Sequence, residues 1–155
     1  MTQRKITEIK LVGIKLPHKT TNHGGKSGID CGDLWKKFEE GNYADRIPNK
    51  SGNEIYAVYF DYEGDYTKPF GYFIGCKVTA GTDAPKDMHS LMIPEENCVA
   101  VQAKGKMPDC IARAWRDIWI SNISRAYQYD FEVYDERSKD WDHATVEIFV
   151  SCRKD

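Results

Sequence analysis

Apolar and polar positions alternate along several stretches of the chain, and helical spacing marks two others. Lys5 to Leu16 carries Ile6, Ile9, Leu11, Val12, Ile14 and Leu16, with clear alternation from Val12, and predicts a strand that Pro17 ends. The segment HKTTNHGGKSGI is rich in Gly, Thr, Asn and Lys and predicts a loop. Asp30 suits a helix N-cap, with Asp33 in the first turn. Leu34, Trp35 and Phe38 then supply the apolar stripe of a helix that stops at Gly41. Asn42 to Asn53 reads as a connector. Glu54 to Tyr62 is aromatic and β-branched, with Tyr56, Val58 and Phe60 on one face and Ile55, Ala57, Tyr59 and Asp61 on the other. EGDYTKP is a turn, and Phe70 to Thr79 is the next strand.

The second half repeats this order. Met88 to Gln102 is mostly strand, with HSLMIP and CVAVQA as its apolar pieces and Pro94 to Asn97 as an interruption. Gly105 breaks it, and Pro108 suits a first helical turn. The following helix runs to about Asn122, with Ile111, Trp115, Ile118 and Trp119 on one stripe. YDFEVY is a strand, KDWDH a turn, and Ala144 to Cys152 the last strand. The pattern predicts one α+β domain over residues 1–155, built of two strand–helix–strand–strand units at about 1–80 and 87–155. Two such units can pair into one antiparallel sheet with both helices on one face and a ligand groove between the halves.

Composition narrows the function classes. The chain has 155 residues, 41% hydrophobic and 30% charged, which is an ordinary globular balance. The net charge of -2 offers no basic footprint for nucleic acid. No apolar run approaches the ~20 residues of a transmembrane helix, and MTQRKITEIKLVGIKLP lacks the apolar core of a signal peptide. Cys31, Cys76, Cys98, Cys110 and Cys152 form no CxxC and read as reduced, mostly buried thiols of a cytoplasmic protein. His18, His23, His89 and His143 show no metal-ligand spacing, GGKSG lacks the spacing of a phosphate loop, and no GxSxG occurs. Cys110 lies in a first helical turn but reads as a small buried hydrophobe. No metal or other cofactor is expected.

Carboxylates on strands carry more. Alternation sets Phe131 and Val133 on one face of their strand, expected to be the helix-packed core, and Glu132 on the opposite face with Asp130 and Tyr134. Glu132 is then a candidate floor for an aromatic groove, where partial burial strengthens attraction for a cation. Nine Tyr, six Phe and four Trp leave enough aromatics to build such a groove as well as a core. Glu147 and Asp61 are the other strand carboxylates.

The chain resembles the GyrI-like effector-binding domains, which also form the C-terminal sensors of AraC-type and MerR-type regulators. The resemblance rests on the doubled element order, on IPEENCVAVQAKGK before a helix, on AWRDIWISN within it, and on YDFEVYDE followed by VEIFVSC. LWKKFEEG, RIPN and IYAVYFDYEGDYTKPFGYFIGCKV are similar to the standalone integron-cassette type. This resemblance implies a cleft between pseudo-symmetric halves for hydrophobic, often cationic, drug-like molecules, with the strand glutamate, here Glu132, at its floor. Tyr59, Tyr72, Trp115 and Trp119 are the aromatic candidates, and no residue is assigned a catalytic role.

The strand pattern begins by Lys5, so no helix-turn-helix is expected before it, and a multidrug-response or transcription-regulation role would pass through a separate regulator protein. Two alternatives stand beside the binding module. The family also implies hydrolases of reactive electrophiles, with Glu132 as base, Tyr59 or Tyr134 as acid, and Glu147 or Asp61 as a second carboxylate. It implies interaction modules acting on a partner such as gyrase too.

Overall fold

The computed structural model describes residues 2–153. Eight strands form one antiparallel sheet, curled into a half-barrel: β1 (Thr2–Ile6), β2 (Ile9–Lys15), β3 (Ile55–Phe60), β4 (Gly71–Lys77), β5 (His89–Ile93), β6 (Glu96–Gly105), β7 (Asp130–Tyr134) and β8 (Ala144–Ser151). Three helices accompany it: α1 (Lys26–Glu40), α2 (Tyr43–Arg46) and α3 (Asp109–Trp119). No helix among the described residues is long and apolar enough to cross a membrane.

The spatial order β1-β6-β8-β7-β3-β4-β2-β5 shows how the two units meet. β3 and β7 pair at the seam, with Ala57 opposite Glu132 and Tyr59 opposite Asp130. The predicted strand from Lys5 to Leu16 is two strands, bent at Thr7 and Glu8. The predicted strand from Met88 likewise divides at Pro94 and Glu95. Each unit therefore opens with an extra strand that crosses to the other half. β1 edges β6 and β5 edges β2, so Ile6 meets Glu96 and Ile93 meets Ile9.

Strand periodicity loads both faces of the sheet. On one face α1 packs Leu34 and Phe38 against Val12, Ile14, Tyr72 and Ile74. On the same face α3 packs Cys110, Trp115 and Ile118 against Val146, Ile148 and Val150. The other face closes on itself around Leu11, Val58, Phe73, Ile93 and Phe131. This second core needs strong coiling, and the Gly13–Gly75 cross-strand pair permits it. A Cβ on Gly13 would lie 2.0 Å from the Ile74 carbonyl oxygen.

The curl reverses one expectation. Phe131 and Val133 belong to the self-closed core, and Glu132 lies on the helix-bearing face. Three boundaries also shift. α1 begins at Lys26, inside the predicted loop, after a Gly25 in left-handed conformation (φ 74°). Asp30 caps nothing; it pairs with Lys26 and accepts a hydrogen bond from Thr20 at 2.7 Å. The connector holds α2, and α3 ends at Trp119 rather than Asn122.

Glu96 stands where the other half has Ile9, inside the region where the exchanged strands cross. It is buried, and neither carboxylate oxygen completes a hydrogen bond. Burial pushes its pKa up to about 8; the charge of Asp130 adds to the push, and the Tyr129 amide acts the other way. The unfolded chain releases this proton near pH 4.5, the folded chain only near 8. The folded state thus binds more protons between these values, and stability falls as pH rises through that window. One such group sets a slope of at most about 1.4 kcal/mol per pH unit. Glu96→Gln, uncharged throughout, is expected to raise the melting temperature by a margin that widens from pH 5 to pH 8. A margin constant across pH in thermal unfolding would contradict a buried, protonated Glu96.

Candidate functional site

Each helix covers the strands of its own half, so the β3–β7 seam between them has no helix over it. A cleft of about 1300 Å³ fills this gap. Tyr59, Tyr72, Trp115, Trp119 and Glu132, singled out from the sequence, all line it. Trp35, Tyr62, Phe70, Tyr134 and Arg125 line it too.

Glu132 is the floor. It is 1% exposed, and its carboxylate is hydrogen-bonded from three directions. Tyr59 Oη and Trp115 Nε1 each donate to Oε2 at 2.7 Å, and Tyr134 Oη donates to Oε1 at 2.5 Å. Burial holds the carboxyl above the usual carboxylate range, while the bonds from Tyr134, Tyr59 and Trp115 pull the other way. Burial, reinforced by the Glu132 charge, lifts the Tyr59, Tyr72 and Tyr134 phenols well above their ordinary value, so they remain donors. Among the described residues no Lys, Arg or His forms an ion pair with Glu132. The floor is therefore a dipole-stabilised carboxylate that lacks a counter-charge.

The walls are aromatic and follow the pseudo-symmetry. Trp115 of α3 meets Tyr59 of the other half edge-on at 4.9 Å, and Trp35 of α1 meets Tyr134 at the same 4.9 Å. Trp35 Nε1 donates to Tyr72 Oη at 2.8 Å. Trp119 stacks on Tyr66 of the β3–β4 turn at 5.3 Å, closing one end.

At that end lies a second polar group. Asp130 is fully buried and accepts from Tyr62 Oη (2.6 Å), Arg125 Nη2 (2.8 Å), and the Ser151 amide and hydroxyl (2.6 and 2.9 Å). Sequence reading singled out neither Arg125 nor Trp35, Tyr62 and Tyr66. Arg125 sits in an irregular segment without periodicity. Trp35 lies on the predicted apolar stripe of α1, and that stripe carries no mark of a groove.

The remaining candidates fall elsewhere. Glu147 accepts from Gln102 and Arg137 away from the cleft, and Asp61 is exposed beside Lys19, so neither supplies a second carboxylate there. The cysteines are free thiols, four buried and Cys31 half-buried at the cleft wall. Cys110 donates to Met107 Sδ at 3.5 Å within the α3 core. Among the described residues no three His, Cys, Asp or Glu side chains gather as a metal site.

α1 presents Gly28 and Gly32 to the cleft, one turn apart and in line with Trp35. A Cβ at either would meet nothing within 4 Å. Interior helical glycines cost roughly 0.5–1 kcal/mol each relative to alanine. The pair on this face widens the cleft, and Gly32, in the helix interior, does so at the helix's expense. Gly32→Ala is expected to stabilise the chain by roughly 0.5–1 kcal/mol in urea unfolding. A destabilised Gly32→Ala would show that the wall has no room to spare.

The model of the integron-associated effector binding protein family (Cass2) matches residues 5–151. An integron cassette protein from the mobile metagenome of Vibrio cholerae is 27% identical over 98% of this chain and 95% of its own, with a TM-score of 0.75. The protein SAV2435, solved bound to tetraphenylphosphonium, shares the fold at 17% identity and TM-score 0.74, over 98% of this chain and 93% of its own. The C-terminal domain of EcmrR shares it at 14% identity and TM-score 0.66, over 99% and 97%. No match is found among curated proteins.

Proposed function

The chain belongs to the integron-associated effector-binding protein family, and from that premise we propose that it is a receptor for small aromatic cations, held over Glu132 between the two halves. The observation that carries this reading is the floor itself. A carboxylate at 1% exposure keeps three donors and, among the described residues, no counter-ion, under a wide aromatic cleft. An incoming cation supplies the missing charge where water is excluded, which strengthens the attraction. Aromatic faces add roughly 0.5–2 kcal/mol each against a desolvated cation. The tetraphenylphosphonium bound by SAV2435 supports the same ligand chemistry.

Membership of an effector-binding family supports a sensory role, in which ligand occupancy in the cytoplasm is read by a separate regulator protein. No nucleic-acid contact or membrane association enters this reading.

Tetraphenylphosphonium is a permanent cation, so it reports the protein's titration alone. Its affinity is expected to be full where Glu132 is ionised and to fall as acidification protonates the raised carboxyl. Glu132→Gln, which retains the shape and an acceptor oxygen, is expected to weaken binding at pH 8 about tenfold or more, about 1.4 kcal/mol. It should also flatten the pH dependence. Isothermal titration of both proteins from pH 4.5 to 8 checks this, and equal affinity at pH 8 would remove Glu132 from the reading.

A further inference from the structure

The cleft contains a cation of its own that the floor does not use. Arg125 is 5% exposed at the side chain and lines the cleft wall. Its guanidinium spends Nη2 on Asp130, while among the described residues Nε and Nη1 meet no acceptor. Buried N–H groups left unmet cost stability, so this edge is unusual in a folded protein. The surroundings hold it in place. The Arg125 amide donates to the Ile123 carbonyl, and Arg125 forms an isolated antiparallel bridge with Cys152 just past β8. The guanidinium carbon stands 4.3 Å above the Tyr127 ring, which a left-handed backbone (φ 53°) brings beneath it.

Arg125 and Glu132 flank one indole. The guanidinium carbon is 5.7 Å from the Trp115 ring centroid, and the N–H of that ring donates to Glu132. Trp115, Arg125 and Glu132 all line the cleft, so a molecule lying across the indole has both charged side chains beside it.

We propose that Arg125 forms a second polar subsite of the cleft, which takes an uncharged oxygen acceptor (an ester, amide or ketone carbonyl) carried by the same aromatic cation that Glu132 neutralises. The inference rests on the cation-receptor reading and adds a specificity to it. Charge balance selects the uncharged acceptor. Glu132, Asp130 and Arg125 together leave one negative charge buried, and a single cation cancels it. A ligand carboxylate would restore the imbalance in a site that excludes water. A carbonyl satisfies the free guanidinium edge with no added charge.

Two dyes separate the elements of this proposal. Tetramethylrosamine and tetramethylrhodamine methyl ester share a cationic xanthylium and a pendant phenyl and differ by the ester. In fluorescence-anisotropy titrations the full chain is expected to bind the ester at least five times more tightly than the rosamine. Arg125→Lys keeps a cation beside Asp130 but lacks the free Nε and Nη1 donors. It is expected to bind both dyes alike, the ester preference being lost whatever the common affinity.

Equal affinity of the parent chain for the two dyes overturns the proposal, as does an ester preference that survives in Arg125→Lys. Tighter binding of the free acid than of the ester overturns the choice of an uncharged acceptor. Should Arg125→Lys fail to fold, the dye comparison on the parent chain decides alone. Glu132→Gln keeps the two readings apart. If it leaves both dyes bound as before, the cation-receptor reading falls while the ester preference still reports on Arg125. If the parent chain binds neither dye, both fall.

Discussion

One unpaired negative charge organises the middle of this molecule. Glu132 lies directly across the seam from Ala57, and the pseudo-symmetry allows only one of those two positions to be acidic. Two carboxylates facing each other on adjacent strands would repel in a dry site. Both halves supply donors to the single one: Tyr59 from the first, Trp115 and Tyr134 from the second. The symmetry is broken at the floor and kept in the walls, where Trp35 and Trp115 each meet a tyrosine of the opposite half. A ligand in this cleft would see matched aromatic sides and one charged spot.

The cleft exists because the two helix-packed cores stay separate. One gathers around Ile14, Phe38 and Ile74, the other around Cys110, Val146 and Ile148, and partly buried Tyr59 and Tyr134 touch both. The seam is covered by tyrosine rings instead of a helix, so the opening ends on those rings and on the carboxylate beneath them. Behind it the sheet is backed by its own apolar core of Leu11, Phe73 and Phe131. The floor carboxylate is thus mounted on a strand packed on both faces. Its hydrogen-bond geometry is fixed before any ligand arrives, which keeps the reorganisation cost of binding low.

Much of this was legible in the sequence. Alternation and helical spacing found the doubled unit, both principal helices and the seam strands, and the five candidate residues do share one cleft. The side of the sheet was not legible. Phe131 and Val133 are apolar and so suggested the helix-packed face, but a curled sheet buries both faces, and periodicity cannot rank two apolar surfaces. The leading strands were hidden for a related reason. Ile6 and Ile9 continue one apolar run across a two-residue bend, and only pairing partners far along the chain separate them. Arg125 was missed because its role depends on Tyr127, Asp130 and Ser151 meeting in space, and no sequence spacing encodes that.

The exchange of leading strands has a consequence for how the chain is made and divided. β1 is made long before its partner β6, which follows about ninety residues later, and β5 must travel back to β2. Neither half can finish its sheet from its own sequence. Each alone would expose an unpaired edge next to an unclosed apolar face. The doubled pattern therefore marks no point at which the gene could be cut into two working pieces. The halves share a form, but the sheet is complete only when the strands of both are present.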